Sequence, residues 1–139
     1  MFRPALLIVF LLSATLFAGC RGSGPEVVEI EGTVTHDGKP VPNLMIYFVP
    51  DNGRPSWGHS DKQGKFVLDY DYDFDGAKVG KHTVYVMDAN NMDPTARPAG
   101  GSKKSPELAA VLAKFGKLET SPMKVEIKRA DKNYQLKLD

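Results

Sequence analysis

The sequence predicts an all-β sandwich of about seven strands, with one short helix before the last two strands. From residue 27 onward, apolar residues mostly recur at every second position, which is typical of strands with one buried face. Turn-forming residues interrupt these runs at short intervals, as they do in sandwiches. A single stretch near residue 111 has helical spacing instead.

The first strands are separated by glycine-containing turns. Apolar residues alternate with polar ones over 28–34, and the Asp37-Gly38 pair then predicts a turn with positive φ, after which Pro40 is expected to block further ladder pairing. Residues 61–65 have the composition of a hairpin loop. Further strands are predicted at 44–49, 57–60, 66–68 and 83–87, the last with Val84 and Val86 inward.

The helix is predicted from its spacing and from its ends. Four apolar residues follow one another at positions i, i+3, i+4 and i+7, which places them on a single helical face: Leu108, Val111, Leu112 and Phe115. Ser105 can cap the start, Pro106 suits the first turn and Gly116 suits the end. Because so short a helix is marginal alone, we expect it to lie over an open end or edge of the sheets. A long mobile loop is expected at 88–104, and the last strands at 123–127 and 134–138.

The N-terminus predicts an export signal. Arg3 precedes an almost entirely apolar run at 5–17, and Ala18 and Gly19 are the small residues typical of a cleavage site. A spanning helix needs about 20 apolar residues, so a run this short indicates a secretory signal over residues 1–19.

The end of that signal, Leu-Phe-Ala-Gly-Cys at 16–20, resembles the bacterial lipobox, although Phe17 stands where leucine is usual. The resemblance implies that Cys20 is lipidated, that 20–26 form a tether and that 27–139 form the domain. The alternative is a secreted protein with an incidental thiol. Cys20 is the only cysteine, so no disulfide within the chain is expected. The location implied is the outer membrane or the periplasmic face of the cell envelope.

The charge balance argues against nucleic acid as a partner. Once Arg3 is removed with the signal, 17 basic residues face 17 acidic ones. A neutral domain without a basic stripe lacks the long-range attraction for a phosphate backbone.

Five segments resemble the motifs of carboxypeptidase-regulatory-like domains: GTVTHDGKPVPN at 32–43, FVP at 48–50, SDKQGKF at 60–66, DGAKVGKHTV at 75–84 and TSPMKVE at 120–126. The similarity is strongest to small lipoproteins of planctomycete-like bacteria. It implies a transthyretin-like, Ig-like sandwich whose motif residues are architectural and not catalytic. His82 stands where the family usually has an aromatic residue.

The acidic stretch at 69–75 suggests a calcium hypothesis. Asp71, Asp73 and Asp75, followed by Gly76, reproduce the first half of a calcium loop, but its twelfth position is His82 instead of glutamate. The alternatives are a strand with all aspartates on one solvated face, or a plain acidic loop.

A second candidate site is aromatic. Trp57, with Tyr47, His59 and Arg54, can form a platform for carbohydrate or peptide; the alternative is that Trp57 packs at a sheet edge. No motif for hydrolysis or phosphate binding is present, so the protein is not expected to be an enzyme. The function predicted is an envelope interaction or scaffold module that binds an envelope protein, the alternative being a module that binds polysaccharide or Ca²⁺.

Overall fold

The computed structural model of the chain describes residues 24–92 and 104–139. Strands dominate these residues and one α-helix precedes the last two strands, which confirms the predicted fold class. The elements are β1 (Val27–Val28), β2 (Ile30–His36), β3 (Lys39–Pro40), β4 (Leu44–Pro50), β5 (Ser56–His59), β6 (Lys65–Val67), β7 (Ala77–Lys78), β8 (Gly80–Asp88), α1 (Pro106–Phe115), β9 (Lys124–Ile127) and β10 (Asp131–Lys137), with a 3₁₀ turn at Ala89–Asn91.

The strands form two four-stranded sheets and a small pair. In the first, named here the β4 sheet, the order is β5-β4-β8-β9 and all pairs are antiparallel. In the second, the β2 sheet, β2 pairs in parallel with β10 and antiparallel with β3 and β6. The expectation that Pro40 blocks ladder pairing is wrong, because Pro40 is the partner of Thr35 and the Val41 amide after it donates to the Val34 carbonyl at 3.1 Å. Strands β1 and β7 pair separately. The first and last long strands of the domain are therefore neighbours.

Strand alternation divides the residues of each sheet between core and surface. On β4, Leu44, Ile46 and Phe48 are fully buried, whereas the residues between them are half-buried on the other face. Val84 and Val86 of β8 point inward, as predicted. Buried residues of the β2 sheet, including Ile30, Val34 and Leu136, complete the same core.

The two sheets meet where β5 passes the end of β6. The backbone N–H of Trp57 donates to the Asp69 carbonyl at 3.0 Å, and the Asp69 N–H donates to the Trp57 carbonyl at 2.7 Å. A Cβ atom on Gly58 would lie 2.3 Å from the Val67 carbonyl oxygen, so only glycine allows this approach. Backbone hydrogen bonds between Trp57 and Asp69 therefore join the two sheets along this side of the sandwich.

Helix α1 has the predicted ends. The Ser105 hydroxyl accepts a hydrogen bond from the Leu108 amide at 3.1 Å, and the Gly116 amide donates to the Leu112 carbonyl at 2.9 Å. Val111 and Phe115 are buried in the core, where the helix packs on β8. The helix therefore closes the core, as its short length requires.

The predicted loop at 88–104 begins later than expected. Strand β8 runs on to Asp88, whose carboxylate accepts a hydrogen bond from the Asn90 amide and so caps the 3₁₀ turn. The part of the expected loop at 93–103 lies outside the described residues.

At the start of β8, His82 is 1% exposed and its Nε2 lies 2.7 Å from the Lys78 carbonyl oxygen, so it fills a core position.

Replacement of Phe115 by alanine tests the role of α1 in the core. Loss of a fully buried phenylalanine is expected to lower the free energy of unfolding by about 3–5 kcal/mol. Chemical denaturation of Phe115→Ala and of the control Leu118→Ala, which removes a partly exposed side chain, measures the difference. Equal, small losses in both variants would contradict this account of the helix.

Candidate functional site

Three aromatic side chains form a row across the outer surface of the β4 sheet. Tyr47 on the central strand β4 is directly opposite Trp57 on β5 and directly opposite Tyr85 on β8. Residues paired in this way share one face of a sheet. Because the residues on both sides of each of them in its own strand are buried, all three side chains point outward.

The two tyrosines of this row are stacked. Their ring centroids are 4.7 Å apart and the ring planes differ by 9°. This spacing matches the separation of neighbouring strands, so each ring covers one face of the other. The pair therefore has fewer open ring faces than two separate tyrosines would have.

Methionine side chains extend the row into a larger apolar surface. Met45 is opposite both His59 and Met87, and these three form a second row beside the first. Met92, beyond the 3₁₀ turn, places its sulfur 3.7 Å from the Tyr47 hydroxyl oxygen. The aromatic face is defined here as Trp57, Tyr47, Tyr85, Met45, Met87, Met92 and His59.

Three apolar side chains of this surface are exposed to solvent, whereas Met45, Tyr47 and Tyr85 are half-buried. Trp57 is 42% exposed, Met87 38% and Met92 43%. Partial burial, with smaller contributions from Tyr47 and Glu119, raises the pKa of Tyr85 above its ordinary value. The Tyr85 hydroxyl therefore stays uncharged at neutral pH and adds no charge to this surface.

The structure brings together three of the four residues predicted for this site, Tyr47, Trp57 and His59. It does not place Arg54 with them: its guanidinium lies 5.6 Å from the centre of the Tyr70 ring and 3.8 Å from the Asp71 carboxylate. The sequence prediction missed Tyr85 and the methionines. The signal for Tyr85 was present, because it lies between the inward-facing residues Val84 and Val86.

The acidic stretch at 69–75 forms a loop, the second of the alternatives to a calcium site. Its aromatic residues do not share a buried face, since Tyr70 is buried whereas Tyr72 and Phe74 are exposed. The Asp71 carboxylate accepts hydrogen bonds from the backbone amides of Asp73 and Phe74 at 2.9 and 3.0 Å, which turns the chain.

The hydrogen bonds within this loop do not test whether it binds Ca²⁺, so calcium binding stays a prediction. His82, the twelfth position of the proposed loop, is buried in the core. Within 24–92 and 104–139, the only group of three or more His, Cys, Asp or Glu side chains with ligand atoms within 4.8 Å of one another lies elsewhere. Asp71, Asp73 and Asp75 do not form such a group.

At the base of this loop two carboxylates lie close together. Residues Asp69 and Asp75 are backbone partners across the loop. Partial burial raises the pKa of Asp69, and the charge of Asp75 and a hydrogen bond between the two side chains raise it further. The loop therefore places a repulsive pair beside Trp57, whose backbone is bonded to Asp69.

Cys20, the predicted lipidation site, lies outside the described residues, as does the predicted signal at 1–19. None of the helices in the described part of the chain has the length and apolar character needed to span a bilayer. Comparisons of the chain with protein-family models, curated proteins and solved structures found no match.

Replacement of Asp75 by asparagine is expected to stabilise the fold at neutral pH, by a modest amount on the order of 0.5 kcal/mol because the pair is largely solvated. A raised pKa in the folded state means that the Asp69 proton stabilises folding. That contribution is complete below the ordinary pKa of 3.8 and is lost as pH rises through the higher folded value.

Thermal melting between pH 3 and 7 measures this effect for Asp75→Asn. The gain over the unmodified chain should shrink as the pH falls towards the ordinary pKa of Asp69. Asp73→Asn is the control, since the Asp73 charge does not contribute to the Asp69 shift. A gain that is the same at every pH, or equal in both variants, would contradict the assignment.

Proposed function

We propose that this chain is a non-enzymatic lipoprotein of the cell envelope that acts as an interaction module, binding an envelope protein through its aromatic face. The observation that carries the proposal is the outward-facing row of Trp57, Tyr47 and Tyr85, in which Trp57 is exposed and the tyrosines are half-buried, with the exposed Met87 and Met92 beside it. Tryptophan, tyrosine and methionine are the residues most enriched at the centres of protein interfaces.

The geometry of the tyrosines favours a protein partner over a polysaccharide. A flat sugar ring binds to an open aromatic face, but Tyr47 and Tyr85 each cover one face of the other. Side chains of a protein partner can instead pack on ring edges and on the flexible thioethers of methionine. The domain is also nearly neutral, so burial of apolar surface, and not charge, would supply most of the affinity.

One observation supports the alternative of carbohydrate binding. A polar depression of about 520 Å³ lies beside the aromatic face and includes His59, with Asn133 and Gln135 of β10 on its far side. Amide and imidazole groups are suited to sugar hydroxyls, and Trp57 offers the stacking surface. The partner experiment below separates the two functions.

The anchor is proposed from the sequence. The resemblance of residues 16–20 to a lipobox supports acylation of Cys20. Residues 24–26, which form the end of the proposed tether, are exposed and lead into β1. Two or three acyl chains would hold such a domain firmly at a bilayer, where one chain binds only marginally. The likeness to carboxypeptidase-regulatory-like lipoproteins supports the same arrangement.

The partner experiment uses the full, anchored chain in the bacterium that produces it. Cells are treated with a crosslinker, the envelope is solubilised in detergent, and proteins attached to the chain are identified by mass spectrometry. We expect a stoichiometric protein partner for the unmodified chain and its loss in the double variant Trp57→Ser, Tyr85→Ser. Removing two central aromatic contacts of at least about 2 kcal/mol each should weaken binding by more than 100-fold.

Val67→Ser is the matched control, because Val67 is an apolar residue that is 46% exposed but lies on β6, outside the aromatic face. It should retain the partner. A partner that survives the double variant, or co-purification of a polysaccharide that Trp57→Ser alone abolishes, would overturn the proposed protein interaction.

Acylation of Cys20 is tested separately from the protein partner. Mass spectrometry of the purified chain should show an N-terminus at Cys20 that carries acyl chains. An intact N-terminal segment with an unmodified thiol would contradict the lipoprotein proposal and leave the aromatic face to be tested separately.

A further inference from the structure

Three metal-binding side chains from distant parts of the sequence meet at one end of the β2 sheet. His36 ends β2, Asp37 begins the turn that follows, and Asp139 lies just beyond β10. Their ligand atoms all lie within 4.8 Å of one another. The parallel pairing of β2 with β10 produces this convergence, since Lys137 is the partner of Thr35 in the ladder.

The backbone holds each of these residues in place. Leu138 is fully buried and its amide donates to the Thr35 carbonyl at 2.8 Å, which fixes the chain just before Asp139. Asp37 has a φ of 47°, a left-handed conformation that aspartate and asparagine tolerate better than most residues. Its amide donates to the Asp139 carboxylate at 2.8 Å.

The hydrogen bond of His36 leaves one ring nitrogen free to bind a cation. The Nδ1 atom is bonded to the carbonyl oxygen of Leu138. A carbonyl oxygen only accepts hydrogen bonds, so Nδ1 carries the proton and Nε2 of the neutral ring has an open lone pair. A carbonyl on the second ring nitrogen is the usual support of a metal-binding histidine.

The distances also fit a shared cation better than a direct contact. His36 Nε2 is 3.6 Å from the Asp37 carboxylate oxygen, which is too long for a hydrogen bond. Two ligands of a tetrahedral Zn²⁺ ion, each about 2.0–2.1 Å from the metal, are about 3.4 Å apart. Asp37 and Asp139 are exposed, so small rotations of their side chains would complete the geometry.

The surrounding charges leave the group negative. Among residues 24–92 and 104–139, the cation that contacts this group is Lys114, whose ammonium group donates to the Asp139 backbone oxygen, against the two carboxylates of Asp37 and Asp139. Lys39, opposite His36 in the ladder, pairs with Glu107 at 3.6 Å instead. A divalent cation would therefore meet net negative charge.

We propose that His36, Asp37 and Asp139 form a binding site for a divalent transition metal of the Zn²⁺ class. An imidazole with carboxylates is a ligand set suited to zinc and not to the all-oxygen preference of Ca²⁺ or Mg²⁺. Three protein ligands leave the fourth position to water. The ion joins the turn after β2 to the segment after β10, and so links strands about 100 residues apart in a domain whose sequence allows no internal disulfide.

Calorimetric titration of the full chain in detergent with Zn²⁺ at neutral pH tests the site. We expect one ion per chain and a melting temperature that rises with Zn²⁺ concentration, because the folded state alone holds the three ligands together. Asp139→Asn keeps an oxygen for the Asp37 amide and Asp37→Asn keeps the turn, so both variants should fold. Each should bind Zn²⁺ at least about tenfold more weakly, the smallest loss expected even for a supporting residue of a metal site.

Glu126→Gln is the control, since Glu126 is an exposed carboxylate on β9 that pairs with Lys128 at 3.4 Å and lies outside the group. It should bind Zn²⁺ as the unmodified chain does. Absence of binding at micromolar to millimolar Zn²⁺ would overturn the site. Binding that both asparagine variants retain would place the ion elsewhere, for example on an unacylated Cys20, and would overturn it equally.

Discussion

The register of strand β4 between β5 and β8 determines which side chains of this sheet lie in the core and which lie on its outer surface. Hydrogen bonds to β5 on one side and β8 on the other fix Tyr47 between Trp57 and Tyr85. The same alternation sends Ile46 and Phe48 into the core. A slip by one residue would exchange the two sets, so the buried core and the aromatic face are consequences of a single pairing.

The chain keeps a neutral apolar surface in water without a disulfide to stabilise it. Burial of the inner faces of both sheets and of α1 therefore has to supply the stability of the domain. Methionines and stacked tyrosines suit such a surface, because thioethers adapt to a partner and paired rings shield part of each other. A protein held at a bilayer by a short tether would meet its partners within a thin layer, where a modest apolar contact is sufficient for recognition.

Local sequence patterns predicted the longer strands, the caps of α1 and the common face of Tyr47 and Trp57, but not the two-residue strands β3 and β7. They did not predict contacts that depend on pairing between distant strands. Tyr85 joins the row through a register between segments 38 residues apart, and Asp139 reaches His36 through a parallel pair that periodicity does not specify.

Of the two alternatives to a calcium site at 69–75, the alternating strand does not form, because the Asp71 carboxylate binds backbone amides of the next residues and bends the chain. The predictions succeeded where hydrophobic period and capping chemistry act within a few residues of one another, and they were incomplete where side chains were brought together by long-range pairing.

Nuclear Overhauser contacts of the Tyr47 ring test the register of β4 most directly. The register described above predicts contacts with the rings of Tyr85 and Trp57. Contacts with core methyl groups of Val34 or Leu136 in the opposite sheet would contradict this register.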